Sequence, residues 1–467
     1  MRKAYMPRKC NFIPIKMPAV AIWMVLFLIG TGAGVSWAEG GEPLTLQQVR
    51  KLALANSSKV ISAMQDVENS KLDRDSAIAS FYPNLSLQGS VGIPYPSLND
   101  GPSSTDPSAS YGISLSQQLY SGGARLASLR QTALSITKAK ISEASVRNSV
   151  LQTAETLFFD LLEKQDARAV AQKELQAAEK SLEVARGRYE VGAVDKVVYL
   201  QAQSKYKTKQ AALYQAEYAE RLSRSKLQIA LGLSRIGELY LTPSLVPEDL
   251  FFLDVERTIS LDSLAPFIEK LKAFALEHNP DLNALELSLQ IQDLNVQIKE
   301  AAFYPTLSLG WSHTFSGLWK DAGSFTDTGK VTVSATVPIL PFQDKKAAVG
   351  KAENAKVTLS AQLREQVRAV ESSVVEYVQG IVVALRRIEA AQASVEFGEE
   401  NYRQVYEKYS LSKATLMEVS DAESTLSDAR AQLLSARYAL YRYWLQLKYL
   451  LGFEEDDSFV TFLRQTK

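Results

Sequence analysis

Apolar residues Leu44, Leu46, Val49, Leu52 and Ala53 recur at a spacing of about 3.6, with Thr45 in place to cap them, and predict an opening helix. A matching helical pattern runs from about Leu264 to Ala302. Each pattern ends at a proline, Pro83 in "FYPNLSL" and Pro305 in "FYPTLSL". Proline has no N–H to give to a helix, and it forces the residue before it, here Tyr82 or Tyr304, toward extended geometry. Pro83 and Pro305 are therefore expected to switch the chain from helix to strand.

Beyond both switches the period falls to two. Leu85, Leu87, Val91 and Ile93 alternate with Asn84, Ser86, Gln88 and Ser90. Tyr111, Ile113, Leu115 and Leu119 alternate with Ser110, Gly112, Ser114, Ser116 and Gln118. The second half repeats this with Leu307, Leu309, Trp311 and Phe315. Its last segment sets Val331, Val333, Ala335, Val337 and Ile339 against Lys330, Thr332, Ser334 and Thr336. These patterns predict two strand hairpins, 84–119 and 306–339, each strand with one apolar and one polar face. Pro94–Ser108 and Ser316–Gly329, rich in Gly, Pro, Ser and Asp, are expected to be the exposed turns between paired strands.

Long helical stretches follow. No proline interrupts Ala124–Gly187, and a second helix is expected from about Val194 to Leu231, giving a helical hairpin over 124–231. The later half repeats the pair, from about Lys345 to Tyr409 and from Thr415 to Leu451, over 345–451. At ~1.5 Å per residue the first rod is roughly 96 Å long. Small residues such as Ala144, Ala154, Ala202, Ala212, Ala216 and Ala219 suit close packing in the seams.

The recurrence is a duplication. Phe81–Leu87 returns at Phe303–Leu309 and "ALANSSKV" (Ala53–Val60) returns as "ALEHNPDL" (Ala275–Leu282), both displaced by 222 residues. "RYEVG" (Arg188–Gly192) aligns with "KYSLS" (Lys408–Ser412), and "LQIALGL" (Leu227–Leu233) with the segment around Leu451 and Gly452, displaced by 220. A unit of this length is a duplicated domain half, not a solenoid repeat. The expected organisation is a first repeat over 39–232, a linker over 233–262, a second repeat over 263–453 and a tail over 454–467.

Residues 1–38 lie outside the pattern. Arg2, Lys3, Arg8, Lys9 and Lys16 precede an apolar run from Ala19 to Val35 and the small-residue site Ser36–Ala38, which reads as a secretory signal peptide. Its removal takes Cys10, the one cysteine, and five of the 52 basic residues but no acidic one, leaving a net charge near −5. That mild acidity argues against a nucleic-acid partner. The mature chain is expected to lack disulfides, thiolate metal sites and transmembrane helices. His278 and His313 fall in different element types without metal-ligand spacing, and no nucleophile elbow, Walker loop or dinucleotide fingerprint occurs. No catalytic, cofactor or metal site is expected, and hence no enzyme.

Strands of this kind suit a soluble antiparallel sheet or a membrane barrel with lipid on one side and water on the other. A sheet in lipid must close, and known barrels start at ~8 strands, so the four strands of one chain cannot close alone. Either the hairpins lie in water or several copies share one barrel. The export signal and the aromatics at strand ends (Phe81, Tyr82, Tyr120, Phe303, Tyr304) favour the shared barrel.

The twice-written order of helix, "FYP" switch, hairpin, long helix, "RYxxG"-type tip and returning helix ending in "LG" resembles the TolC-like outer-membrane efflux proteins. "QLYSGGAR" (Gln118–Arg125) is similar to that family's strand-to-helix motif, and "RYEVGAVDKVVYLQAQ" (Arg188–Gln203) to its helical tip. The second repeat departs from these in "ILPFQDKK" and in Ser412 at the tip glycine position. The resemblance implies a mainly α fold with a membrane β-barrel portion: a homotrimer whose chains each give four strands to a twelve-stranded barrel, continued by helical hairpins as a periplasmic tunnel. It implies an outer-membrane location, contact with outer-membrane lipid, and work as the exit duct of a tripartite efflux or type I secretion system. A periplasmic adaptor and an inner-membrane transporter would be the partners. The adaptor-docking tips would be Val191, Gly192 and Ala193, and by repeat Leu411, Ser412 and Lys413. Glu418 and Asp421, three apart and so on one helical face, match the family's acidic constriction. With Tyr409 they make the expected periplasmic gate, while Val198 holds the corresponding first-half position and Ala414 a position where a basic gate partner can occur. The alternative from a different class is a secreted periplasmic coiled-coil structural protein without channel activity.

Overall fold

The computed structural model describes residues 44–93, 107–233, 261–318, 325–411 and 413–466. The expected signal peptide, the centres of both strand-connecting loops, nearly all of the 233–262 linker and the tip residue Ser412 lie outside the described residues.

Helix α1 (Leu46–Asn56) starts in a capping box, in which the Thr45 hydroxyl accepts from the Gln48 N–H and the Gln48 side chain accepts from the Thr45 N–H at 2.8 Å. Ser57 caps α2 (Ser58–Ala79), which stops before Pro83 as expected. The second-repeat helix expected over 264–302 is instead two helices, α5 (Leu261–His278) and α6 (Pro280–Glu300). The break has a local cause. Pro280 pushes Asn279 to extended geometry, and the Asn279 side chain then accepts from the N–H groups of Asp281 and Leu282. A short 3-10 turn (Ala301–Phe303) leads to Tyr304, extended at ψ 156°, and Pro305.

Strands β1 (Asn84–Gly92), β2 (Ser108–Ser121), β3 (Thr306–Leu318) and β4 (Thr326–Thr336) form one antiparallel sheet in that order. Several strand boundaries differ from expectation. Ser316–Leu318 and Thr326–Gly329 are strand where turn was expected, because they pair across the hairpin (Ser316 with Thr326, His313 with Gly329) and with β2 (Gly317 with Ala109). β4 ends at Thr336, short of 339, since Pro338 cannot donate to the ladder. β2 runs on to Ser121 through a bulge at Gln118/Tyr120.

The register sorts side chains by face. Leu85, Leu115, Trp311 and Val331 form one cross-strand row, while Ser86, Ser114, Ser312 and Lys330 form the next. Because successive residues point to opposite faces, the whole sheet has one apolar and one polar side. The apolar side is left uncovered, with Leu87 77% and Val331 69% exposed.

Two different junctions return the sheet to helix. After β2, Gly122 at φ 64° and Gly123 at φ 90° start α3 (Ala124–Glu190). Gly122 is required there, since a Cβ would lie 2.5 Å from the Ala301 carbonyl oxygen. After β4, Phe342 precedes α7 (Gln343–Ser410), which starts without a side-chain cap. Helices α4 (Lys196–Ala230) and α8 (Leu416–Leu450) run back along α3 and α7. At 67 and 68 residues, α3 and α7 are each about 100 Å long. None of the described helices is apolar enough to cross a membrane.

The expected tail is a helix, α9 (Asp456–Thr466). Asp456 and Asp457 suit its positive N-terminal end, and Phe459 and Leu463, one turn apart, are buried against Trp444, Leu447 and Leu451. Beside it, Glu155 of α3 accepts from Arg50 of α1 and from Lys448 (3.0 Å) and Tyr449 of α8, while Asp456 accepts from Lys448 (2.9 Å) and Arg50 (2.6 Å). Glu155 and Lys448 are fully buried, so this network fastens both repeats and the C-terminal helix at one level.

Candidate gate and docking tips

The tip between α3 and α4 closes by backbone chemistry. The Ala193 N–H donates to the Arg188 carbonyl at 2.8 Å and the Gly192 N–H to the Tyr189 carbonyl at 3.0 Å. This helix ending needs a left-handed residue, which Gly192 supplies at φ 72°. Nothing lies within 4 Å of a Cβ built at Gly192, so the turn sets that residue and packing does not. Val191, Gly192 and Ala193 are exposed, Val191 by 80%.

The second tip repeats the closure despite its lack of glycine. The Lys413 N–H donates to the Lys408 carbonyl at 2.8 Å, and the Leu411 N–H to the Glu407 carbonyl at 3.2 Å. Leu411 and Lys413 are exposed like their first-repeat counterparts.

The three expected gate residues separate into two environments. Glu418 and Asp421 are exposed near the start of α8. Glu418 has a structural duty the spacing did not reveal: its carboxylate accepts from the Thr415 N–H at 2.6 Å and hydroxyl at 3.0 Å, and its own N–H donates back to that hydroxyl. These bonds hold the Glu418 carboxyl below the usual carboxylate range. Asp421 has no part in the capping box.

Tyr409 is buried among Ala185, Ala202, Leu416 and Val419. Arg188 covers its ring, with the guanidinium carbon 4.4 Å from the centroid, and donates to the carbonyls of Tyr409 and, at 3.2 Å, Ser410. Burial raises the Tyr409 phenol above its ordinary value against the opposing pull of Arg188. Tyr409 thus joins the two tips and does not share the exposed surface of the carboxylates.

More ties lace α3 and α4 to α8 above the tips. Lys205 bridges Glu423 at 2.6 Å and donates to Ser420 at 3.1 Å. Tyr438 donates to Asp166 at 2.8 Å, and Arg442 donates to Asp160 at 3.1 Å and to Glu163. Arg188 opens the quoted tip motif, but nothing in the sequence marks it, Lys205 or Glu423 as a tie between the repeats. Their partners lie in the other repeat, and charged residues on helices of this composition do not stand out.

The outer membrane efflux protein family profile matches the chain twice, over residues 49–233 and 273–453, in step with the two repeats. The outer membrane protein TolC of Vibrio cholerae serotype O1 is 23% identical over 434 residues, covering 91% of this chain and 93% of that protein. The toluene efflux pump outer membrane protein TtgF of Pseudomonas putida is 25% identical over 338 residues, covering 70% of this chain and 65% of TtgF. Among solved structures, the Campylobacter jejuni CmeC outer membrane channel has a TM-score of 0.76 at 18% identity, over 90% of this chain and 89% of that one. The outer membrane protein VceC of Vibrio cholerae has a TM-score of 0.72 at 17% identity, over 87% and 96%. At such identities the structural likeness speaks for the fold, and the profile speaks for the family. The secreted coiled-coil alternative leaves the sheet and the profile match unexplained. The chain belongs to the outer membrane efflux protein family, and it is an outer-membrane channel protein of the TolC type, serving efflux and extending into the periplasm, with no enzymatic role.

Proposed function

We propose that three copies assemble side by side, closing a twelve-stranded barrel in the outer membrane and a helical tunnel in the periplasm. One observation carries this reading. The four-stranded sheet has two open edges, β1 and β4, and an apolar face that the described chain leaves bare. In lipid an open edge strands its backbone groups, so other copies must complete the sheet. The apolar face then meets lipid and the polar face lines the lumen.

In this assembly the helical hairpins end in periplasmic tips. Val191, Gly192, Ala193, Leu411, Ser412 and Lys413 dock a periplasmic adaptor, which couples the duct to an inner-membrane transporter. Five of these six lie at exposed turns or just beside them, and rigid backbone closures hold the tips in shape. Glu418 and Asp421 from three chains form an acidic ring that screens cations at the entrance, and Arg188 on Tyr409 keeps neighbouring tips together. Like charges held close favour cation binding.

The test is export in cells together with the state of the purified protein. Ala193→Glu should abolish export while leaving a detergent-extracted trimer. Unchanged adaptor crosslinking in that variant would remove the tip from the docking surface. A water-soluble monomer without conductance in planar bilayers would overturn the duct itself.

A further inference from the structure

The polar face of the sheet is built almost wholly of small neutral groups. Its rows include Gln118, Ser308 and Ser334; Asn84, Ser116, Gly310 and Thr332; Ser86, Ser114, Ser312 and Lys330; Gln88, Gly112, Thr314 and Thr328; Ser90, Ser110, Ser316 and Thr326. Two cross-strand pairs of hydroxyls satisfy each other, Ser86 with Ser114 at 2.7 Å and Ser90 with Ser110 at 2.8 Å. Among the described strand residues, Lys330 is the one charged side chain on this face. It is exposed, and no described residue forms a hydrogen bond or ion pair with it. Asp327, the nearest acid along the strand, is three residues away and so points to the other face. There it lies 3.7 Å from His313.

We infer that Lys330 makes an anion-attracting belt inside the barrel, favouring anionic solutes over cations of similar size in the outer-membrane part of the path. The inference rests on the duct reading above, which turns the polar face to the lumen and repeats Lys330 three times about the axis. Lys330 stands four residues from Thr326 and six from Thr336, near mid-strand, roughly 14–20 Å from either end at ~3.4 Å per residue. Low-dielectric walls focus the field of such a ring, and rings of lysine or arginine are a known basis of anion preference. With neutral hydroxyls above and below, nothing else on this face sets the sign of the field. It is opposite in sign to the acidic entrance at the tips.

A lysine on an edge strand also discourages unwanted strand pairing. That role predicts aggregation on its removal and no change in ion preference, so the two separate cleanly. The test measures reversal potentials of the full trimer in planar bilayers under a KCl gradient. Lys330→Gln should lower the anion-to-cation permeability ratio at least about twofold, and Lys330→Glu further, while Asp327→Asn on the other face leaves it unchanged. A Lys330→Cys chain should react with a charged, water-soluble thiol reagent and lose conductance. If the unmutated protein conducts but the ratio is unchanged in both Lys330→Gln and Lys330→Glu, the belt is overturned and the duct stands. If the unmutated protein does not conduct, the duct reading falls and the belt with it.

Discussion

The Arg188 guanidinium lies 4.4 Å from the ring centroid of Tyr409, and it also donates to the Tyr409 carbonyl across 221 residues of sequence. The contact joins the tip of one repeat to the tip of the other. A cation over a partly desolvated aromatic ring is worth about 0.5–2 kcal/mol. Arg188→Ala should therefore loosen the tips without unfolding the rods. Spin labels at Val191→Cys and Leu411→Cys should show a broader, longer distance distribution in that variant, with Arg188→Lys intermediate. An unchanged distribution would mean that the buried cluster around Val419 holds the tips without the arginine.

The capping box divides the work of the two acidic residues. Glu418 is engaged with Thr415, whereas Asp421 is exposed and not so engaged. Asp421→Asn should thus reduce block by divalent or trivalent cations more than Glu418→Gln, which keeps a capping acceptor. The helix effect runs the other way: Thr415→Ala should speed amide exchange in the first turn of α8. The lowered Glu418 pKa makes its share of helix stability present above the unfolded carboxylate range and lost as pH falls through the folded value. Equal loss of block in both variants would contradict this division.

Acid should act on the C-terminal helix through Asp456. Burial alone would raise its pKa, but Lys448 and Arg50 outweigh it and hold the carboxyl below its ordinary value of 3.8. The linked stability is therefore full above that value and falls as pH drops through the folded one. Asp456→Asn should flatten the acid side of a melting-temperature profile. Lys448→Met, which removes one partner of buried Glu155, should cost about 3–5 kcal/mol, toward the low end because Arg50 remains. A stability loss under about 1 kcal/mol would show that the network tolerates the gap.

Val333 and Ser334 are neighbours on opposite faces of β4. Val333→Arg should cost ~2–4 kcal/mol of assembled stability, and Ser334→Arg much less. Equal yields of heat-resistant oligomer from the two variants would place the faces wrongly.

Much of this architecture is legible because it rests on local rules. Alternation from Lys330 to Thr336 and the prolines at 83 and 305 each decide backbone geometry within a few residues. The break at Asn279 had a signal too, the Asn-Pro pair, but apolar periodicity continues across it and masks it. Helix α9 rests on Phe459 and Leu463, with Val460 and Phe462 beside them, in a segment of eleven residues whose burial depends on a core built by α5, α7 and α8. The site was less legible. Spacing placed Glu418 and Asp421 on one face, yet Thr415 decides where the Glu418 carboxylate points. Tyr409 is buried because residues of the other repeat, Ala185, Ala202 and Arg188, close over it. Lys448 hinted at its role only by interrupting the apolar run "LQLKYLLG", since Glu155 lies 293 residues away.

In the proposed assembly the open edges β1 and β4 meet between copies. The mature chain is expected to have no cysteine, so edge cysteines can be introduced on a clean background. Gln88→Cys would be combined in turn with Thr328→Cys, Lys330→Cys or Thr332→Cys, and outer membranes oxidised before denaturing electrophoresis. At least one pair should yield a covalent ladder that stops at three chains. Monomers alone from every pair, or a ladder that runs on past three, would contradict a closed barrel of three copies.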